Sequence, residues 1–304
     1  MKTKSILIAI LSIYSLIMSC SDSAKELQPN TSRPDFIIDS HIHYRGTDEW
    51  ENTFTEVFTK HKAMGCVLVG MEYLERGIKF ANEHPELVIP YAAIDIESPT
   101  VTDDIRRAKE MGYKGLGELF ATKGYNYDNP KYDSIWILAE QYQMPIAPHT
   151  GIHARGNFAG MRPAFIASIA ERHRDLIIHA AHLGNPWYAE AAEGARLNPN
   201  LYFDMSGTSL IKKSQNPEYW KEIMWWTPFL GYPHVGTVAG PAWEKIMFAT
   251  DEAPEEENLI QNIIRFNKVL DACEVPEETR KNMYGRTIAR VHGIKSVHGF
   301  PVDN

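Results

Sequence analysis

Six side chains that can bind a metal ion occur where short apolar segments of the chain end. They are His41, His43, Glu118, His149, His182 and Asp251. Imidazole and carboxylate groups together suit Zn2+ or a similar divalent ion. A single histidine in an apolar segment is more often a hydrogen-bonded core residue, and a single acid more often caps a helix or forms an ion pair. The metal site is therefore predicted from the recurrence of the pattern and not from any one residue.

The segments that must position these residues alternate between two patterns. Eight short apolar segments are typical of buried parallel strands, namely Phe36–His43, Cys66–Gly70, Val88–Ile94, Lys114–Leu119, Pro145–His149, Leu176–His182, Leu201–Met205 and Ile246–Thr250. Helical patterns separate them, at Trp50–Met64, Leu74–Glu83, Thr102–Met111, Tyr132–Gln143, Pro163–Arg172, Tyr188–Arg196 and a longer region from Glu218. Closing helices are expected at Glu256–Ala272, Pro276–Met283 and Arg286–His292. Gly65 and Gly112 are expected just past helix ends, and Pro163 in a first helical turn.

Eight strand–helix units predict a closed (β/α)8 TIM barrel rather than an open doubly wound sheet. In such a barrel the C-terminal ends of the strands converge on one mouth. Side chains two apart on a strand share a face, so His41 and His43 both point into the barrel. The six metal-binding candidates are therefore expected to meet at that mouth. The segment from Thr208 to Trp243 is long and rich in Trp, Pro and Gly, which favours a functional loop such as a lid.

Composition restricts the class of protein and its partners. The 304 residues are 44% hydrophobic and 23% charged, which is ordinary for a globular protein and excludes a disordered or collagen-like chain. With 31 basic and 39 acidic residues the net charge is -8, which argues against a nucleic-acid partner. Three cysteines cannot form a disulfide framework. Cys66 and Cys273 are interpreted as buried, reduced thiols.

The N-terminus has the pattern of a secretory signal. Lys2 and Lys4 precede a short apolar stretch that ends in Ser19-Cys20. It resembles a bacterial lipoprotein signal, in which the cysteine becomes the lipidated first residue; the alternative is an uncleaved membrane anchor. The expected organisation is a signal peptide at residues 1–19, a polar tether at 20–34 and the barrel domain at 35–304. The predicted location is the cell envelope, anchored through a lipid on Cys20, with the membrane face left open.

Several motifs together resemble a known family, the amidohydrolase superfamily and within it the amidohydrolase-related branch of metal-dependent TIM-barrel hydrolases and decarboxylases. The resemblance runs from Phe36 to about Gly293. It is carried by Asp39-Ser40-His41-Ile42-His43, Lys114-Gly115-Leu116-Gly117-Glu118-Leu119, His149-Thr150-Gly151, His182-Leu183-Gly184-Asn185-Pro186-Trp187 and Tyr202-Phe203-Asp204-Met205-Ser206-Gly207. This combination is specific for the superfamily but not for a substrate.

The resemblance implies a role for each member of the predicted metal site. His41, His43, His149 and Asp251 would bind the metal, most simply Zn2+, and His182 would be a further ligand or a catalytic group. Asp251 would also accept a proton from the metal-activated water, since a bound metal lowers the pKa of water towards ~7. Glu118 stands where many relatives have a bridging carbamylated lysine. Two arrangements stay open: one ion with Glu118 outside its ligand sphere, or two ions with Glu118 as the bridge.

The predicted activity is hydrolysis of an amide, ester or lactone bond in a small molecule. The alternatives are metal-dependent, non-oxidative decarboxylation of an aromatic or unsaturated acid, and a catalytically inactive ligand-binding lipoprotein. Substrate contacts are expected from Arg155 and Arg162, which could clamp a carboxylate, and from Trp187, which could form a pocket floor. A homodimer is expected from the resemblance alone.

Overall fold

The computed structural model of the chain describes residues 30–154, 157–224 and 242–302. The chain divides into two units, Met1–Asn30 and Thr31–Asn304. Of the first unit only Asn30 is among the described residues, so the predicted signal peptide and Cys20 lie outside them. The architecture below is that of the second unit. Within the described part of the chain, no helix is long and apolar enough to cross a membrane.

Eight parallel strands follow one another in chain order and form a single sheet. The strands are β1 (Ile37–His43), β2 (Ala63–Gly70), β3 (Val88–Ala93), β4 (Gly115–Leu119), β5 (Ile146–Pro148), β6 (Ile178–Ala180), β7 (Leu201–Met205) and β8 (Ile246–Phe248). Between β8 and β1, the Asp251 N–H donates to the His41 carbonyl at 2.9 Å and the Ser40 hydroxyl to the Phe248 carbonyl at 3.0 Å. The predicted (β/α)8 TIM barrel is confirmed.

Helices connect and surround the strands. In chain order they are α1 (Asp48–Lys60), α2 (Leu74–Glu83), α3 (Val101–Met111), α4 (Asp133–Gln141), α5 (Pro163–Arg172), α6 (Tyr188–Leu197), α7 (Gly207–Lys213), α8 (Tyr219–Ile223), α9 (Glu256–Ala272), α10 (Glu277–Lys281) and α11 (Thr287–Val291). Three predicted helices have their exact observed bounds, at α2, α5 and α9. Pro163 lies in the first turn of α5, and Gly112 ends α3 at φ 102°, as expected.

The helix predicted after β1 is wrong at its C-terminal end. The helix expected at Trp50–Met64 ends at Lys60, because Lys62 takes φ 52° and the chain enters β2 at Ala63. Gly65 is therefore not a helix terminator but a strand residue, and a Cβ on it would lie 3.2 Å from the Phe54 ring. The longer helical region expected from Glu218 begins with the short α8. Residues 225–241 lie outside the described residues, so the rest of that region stays a prediction.

Alternation along the strands divides the buried side chains into two clusters. On β2, for example, Val67 and Val69 belong to the large cluster between the sheet and the helices. The intervening Cys66 and Leu68 belong to a second cluster. This separation follows from the two-residue period of a strand, and it places the second cluster inside the barrel. Cys66 is fully buried there and free, whereas Cys273 is only partly buried, so the prediction of two buried thiols holds for Cys66 alone.

The C-terminal segment covers the N-terminal end of the barrel. After α11 the chain forms a two-stranded antiparallel hairpin, β9 (Ser296–Val297) with β10 (Phe300–Pro301). His298 Nε2 in the turn donates to the Ala63 carbonyl at the start of β2, at 3.0 Å. This end of the barrel is thus closed by packing, while the opposite end carries the polar strand termini.

Three polar side chains cross the apolar interior of the barrel. The Tyr91 hydroxyl lies 2.8 Å from His179 Nε2 and 2.8 Å from His292 Nε2. Gly115 on β4 makes room for this ring, since a Cβ there would lie 2.3 Å from Tyr91 Cε1. Burial lowers the pKa of His179 to about 4, so its imidazole is neutral at pH 7. The neighbouring Asp204 carboxylate only partly offsets that effect.

The depressed pKa of His179 makes the stability of the barrel fall on acidification. The unfolded chain binds a proton at about pH 6.5 and the folded chain only near pH 4, so the free energy of unfolding decreases as the pH drops through this window. We expect this histidine to account for a loss of about 2 kcal/mol between pH 7 and pH 5. Urea unfolding at both pH values, in EDTA, should show a smaller loss for His179→Gln than for the wild type. Equal losses in the two proteins would contradict this account.

Candidate metal centre

The structure brings the six predicted residues together at the C-terminal mouth of the barrel. His41 and His43 lie at the C-terminal end of strand β1, and Glu118 lies near the end of β4. His149, His182 and Asp251 follow directly or closely after β5, β6 and β8. Their donor atoms form overlapping groups that could hold a metal ion, among them His41–His43–Asp251 and Glu118–His149–His182.

The three donor atoms of the first group, with Glu118 Oε2 beside them, lie at similar distances from one another. His41 Nε2 lies 3.2 Å from His43 Nε2 and 3.4 Å from Asp251 Oδ1. Glu118 Oε2 lies 3.6 Å from His41 Nε2 and 3.4 Å from His43 Nε2, and His43 Nε2 lies 3.4 Å from Asp251 Oδ1. Ligands at the usual zinc distances in a tetrahedron are separated by about 3.3–3.6 Å. These spacings therefore fit donor atoms that share one divalent ion.

The second group uses the other oxygen of Glu118. Glu118 Oε1 lies 2.7 Å from His149 Nδ1 and 3.3 Å from His182 Nε2. His182 Nε2 is also 3.9 Å from Asp251 Oδ2. The Glu118 carboxylate thus stands between the two groups, with one oxygen directed at each.

The protonation of this cluster follows from charge at close range. Burial opposes ionisation of Glu118, but the charge of His41 and hydrogen bonds from His149 and His182 outweigh it and hold the pKa well below its usual range. Burial likewise opposes the charged form of His41, yet the Glu118 and Asp251 carboxylates hold its pKa well above the usual value. The ionised carboxylates of Glu118 and Asp251 are therefore stabilised only by positive charge close to them at the mouth of the barrel. A divalent cation supplies that charge in place of protons, so the donor set fits a metal.

Two further acids, whose roles the sequence analysis did not predict, hold the cluster from behind. Asp39 accepts hydrogen bonds from the His41 N–H at 3.0 Å and the Thr250 hydroxyl at 2.6 Å, which joins the ends of β1 and β8. Asp204, at the end of β7, lies 3.0 Å from His41 Nδ1 through Oδ2. Both residues stand in the motifs quoted above. The signal that could have identified Asp204 is the one used for Asp251, an acid at the C-terminal end of an apolar strand.

Gly207 leaves the space that the Asp251 carboxylate occupies. It follows β7 with φ 52°, and a Cβ on it would lie 2.8 Å from Asp251 Oδ2. The same Cβ would lie 3.7 Å from His182 Nδ1. A residue with a side chain at this position would therefore have a strained backbone conformation and would also contact the Asp251 carboxylate.

A cavity of about 790 Å3 opens above the cluster. His43, Glu118, His149, His182 and Asp251 lie in its wall, whereas His41 is buried beneath them. The cavity is large enough for a small-molecule ligand. Its rim carries two cations, Arg45 after β1 and Lys123 after β4; apolar side chains of the wall include Leu68, Ile94 and Phe120.

The predicted substrate residues that the structure describes lie away from the cavity. Arg162 lies before α5, where its Nε is 3.2 Å and its Nη2 2.5 Å from Glu190 Oε2, and its guanidinium lies 5.2 Å from the centre of the Trp187 ring. Among the described residues, the lining of the cavity includes neither Arg162 nor Trp187, and Glu190 on α6 holds the arginine. Arg155 lies outside the described residues. The cations that do reach the cavity, Arg45 and Lys123, were missed by the sequence analysis.

Comparison with known proteins agrees with this arrangement of ligands on a barrel. A family profile described as Amidohydrolase matches residues 69–294, about three quarters of the chain. The chain belongs to the amidohydrolase family. No curated protein sequence matches it. The predicted membership in the amidohydrolase superfamily is confirmed, and the candidate ligands of this chain lie at the mouth of its barrel.

Solved structures share the fold of this chain at low sequence identity. A TIM-barrel protein from Bordetella bronchiseptica superposes with a TM-score of 0.62 at 13% identity, covering 85% of this chain and 99% of its own. A protein described as a probable 2-pyrone-4,6-dicarboxylic acid hydrolase from Acinetobacter baumannii, with citric acid bound, gives 0.56 at 12%, covering 84% and 99%. The 5-carboxyvanillate decarboxylase of Novosphingobium aromaticivorans, complexed with manganese, gives 0.56 at 11%, covering 87% and 97%. Both reaction types occur on this fold.

Substitution of Gly207 tests whether the turn after β7 is shaped around the acid of the site. Gly207→Ala should lower the free energy of unfolding by more than Gly299→Ala, measured by urea unfolding. Gly299 also has a positive φ, 84°, but a Cβ on it meets nothing within 4 Å, so its substitution carries the backbone cost of about 1–2 kcal/mol alone. Equal losses for the two variants would show that the contact with Asp251 is unimportant.

Proposed function

We propose that this amidohydrolase is a metal-dependent hydrolase that cleaves an amide, ester or lactone bond of a small molecule. The observation that carries the proposal is the division of the Glu118 carboxylate between two ligand groups. Oε2 lies within 3.6 Å of both β1 histidines, while Oε1 lies within 3.3 Å of His149 and His182. Such a carboxylate is suited to bridge two divalent ions, so of the two arrangements open from the sequence we favour two ions with a Glu118 bridge.

The donor atoms favour zinc or a similar ion. Four imidazole nitrogens and two carboxylates meet, and this mixture is typical of zinc sites. Divalent ions in such sites polarise a substrate oxygen and make water more acidic near neutral pH. Two-ion centres of this kind act on hydrolytic displacements, which supports hydrolysis over decarboxylation.

Asp251 is the residue placed to take a proton from the attacking water. Its side chain is 26% exposed towards the cavity, more than the 4% of Glu118, so a reacting molecule can reach it. Burial opposes its ionisation, but His41, His43 and His182 lower its pKa, and the carboxylate is ionised at pH 7. An ionised, accessible carboxylate within hydrogen-bonding reach of bound water is the requirement for a general base. His182 lies on the same wall of the cavity, where it would be a ligand of the second ion together with Glu118 and His149.

The cavity supports a small substrate that carries a carboxylate. Arg45 is exposed beside His43, and within the described part of the chain it has no ion-pair partner. Lys123 Nζ stands 4.0 Å from Asp95 and Glu97, so its charge is already partly balanced. Arg45 is therefore the favoured anchor for a substrate carboxylate, since a guanidinium binds that group in a bidentate manner. The apolar wall then receives the rest of the molecule.

Replacement of Asp251 tests the proposed reaction. Asp251→Asn should keep the fold and the bound metal but lower turnover about 100- to 10,000-fold, because the amide cannot accept the proton. The assay uses lactones, esters and N-acyl amides, each as the free acid and as its methyl ester, in water labelled with 18O. Label in the product and a preference for the free acid are expected.

Two results would contradict this account. Activity that survives Asp251→Asn would remove the general base. Release of CO2 from an aromatic or unsaturated acid, without incorporation of label, would replace hydrolysis by the decarboxylase alternative. Absence of metal and of any turnover in the wild type would leave the ligand-binding lipoprotein as the better description.

We also propose, from the sequence alone, that the protein is held in the cell envelope by a lipid on Cys20. The basic start, the short apolar stretch and Ser19-Cys20 support this proposal. Fatty-acid labelling of cells that express the chain should label the wild type and not Cys20→Ala. Label in both proteins, or in neither, would contradict the anchor. The homodimer stays a prediction from the family resemblance.

A further inference from the structure

The segment that follows β7 contacts two histidines that belong to different ligand groups. Asp204 Oδ2 lies 3.0 Å from His41 Nδ1, and Asp204 Oδ1 accepts the His182 backbone N–H at 2.9 Å. Ser206 Oγ lies 2.5 Å from Asp204 Oδ1 and 2.9 Å from His182 Nδ1. Both Asp204 and Ser206 are buried.

The direction of the bond to His41 follows from the charge of Asp204. Its Oδ1 already accepts the His182 backbone N–H at 2.9 Å and lies 2.5 Å from the Ser206 hydroxyl, which are the partners of a hydrogen-bond acceptor. A carboxylate has no proton to donate, so His41 Nδ1–H is the donor. The Nε2 atom of His41 is then the nitrogen that faces Glu118 and Asp251, at 3.6 and 3.4 Å.

The direction of the bond to His182 follows from the single proton of Ser206. At 2.5 Å from the carboxylate, the hydroxyl donates its proton to Asp204. Ser206 Oγ can then only accept from His182, so His182 Nδ1 carries a proton. This leaves His182 Nε2 as the nitrogen that faces Glu118 Oε1, at 3.3 Å.

We propose that Asp204 and Ser206 are positioning residues that select the metal-facing nitrogen of His41 and of His182. Asp204 acts directly on His41 and, through the Ser206 hydroxyl, on His182. One carboxylate thereby orients one histidine from each ligand group. The assignment rests on the proposed function in one respect, that the two groups hold metal ions.

The arrangement predicts different effects for the two residues. Ser206 contacts the ring of His182 but not that of His41, so its loss concerns the second ligand group only. Asp204 contacts both histidines, so its loss concerns both groups. Removal of such an orienting hydrogen bond lowers metal affinity by about 10- to 100-fold in comparable sites.

The experiment measures Zn2+ stoichiometry and affinity by competition with a chelating dye, without any substrate. Relative to the wild type, Ser206→Ala should bind one of two ions about 10- to 100-fold more weakly and the other within about twofold. Asp204→Asn should weaken both. The matched control is Ser209→Ala, which removes a hydroxyl that donates to the His182 carbonyl at 2.5 Å and leaves the ring untouched. It should bind both ions as the wild type does.

A second measurement needs no substitution. In the zinc-loaded wild type, 15N NMR of the histidine rings should show Nδ1–H and a zinc-bound Nε2 for both His41 and His182. A proton on Nε2 of either ring would overturn the assignment, as would Ser206→Ala with unchanged affinities or Ser209→Ala with the same loss. A wild type that binds fewer than two ions would overturn the proposed two-ion centre. It would also overturn the different effects expected for the Asp204 and Ser206 substitutions.

Discussion

The carboxylate of Glu118 is the point on which the site depends. It is almost fully buried at the end of β4, where ionisation is costly, and it stays ionised because the charge of His41 and hydrogen bonds from His149 and His182 outweigh that cost. Those imidazoles come from β1, β5 and β6, so the charge balance of one side chain requires several strand ends at fixed spacing. A closed barrel provides this, because the ends of parallel strands meet at one mouth. The fold and the electrostatics of the mouth therefore constrain one another.

The two ends of the barrel differ in the side chains that they carry. At the N-terminal end, the β9–β10 hairpin and α11 pack over the strands, and the neutral Tyr91–His179–His292 set spans the apolar interior. At the C-terminal end, Asp39, Asp204 and Ser206 accept or relay hydrogen bonds behind the ligand residues. The two sets are also neighbours, since the charges of Asp204 and His41 both act on the pKa of His179. The protonation of the interior and that of the mouth are therefore linked.

Much of this arrangement could be predicted from the sequence, for a physical reason. Buried parallel strands are continuous apolar runs, so a polar residue at the end of each run is conspicuous, and all six candidate ligands were found in this way. Helices with clear terminators, such as α5 with Pro163 in its first turn, were also placed correctly. Gly65 misled because a glycine that makes room for Phe54 within a strand has the same sequence signature as one that ends a helix.

Side chains whose role depends on loops could not be predicted. Arg162 follows β5 in sequence, but Glu190 on α6 holds it away from the cavity, and no local pattern reveals a partner 28 residues later. Arg45 looks like an ordinary loop charge until the fold places it beside His43. Asp204 was visible as an acid at a strand end, yet only the structure distinguishes a ligand from a residue that orients one.

Anomalous X-ray diffraction from crystals grown with Zn2+ would show whether Glu118 stands between two ions. We expect two anomalous peaks per chain, one beside Glu118 Oε2 among His41, His43 and Asp251, the other beside Oε1 with His149 and His182. A single peak, with Glu118 bound to no ion, would contradict the bridging role and the two-ion hydrolase built on it.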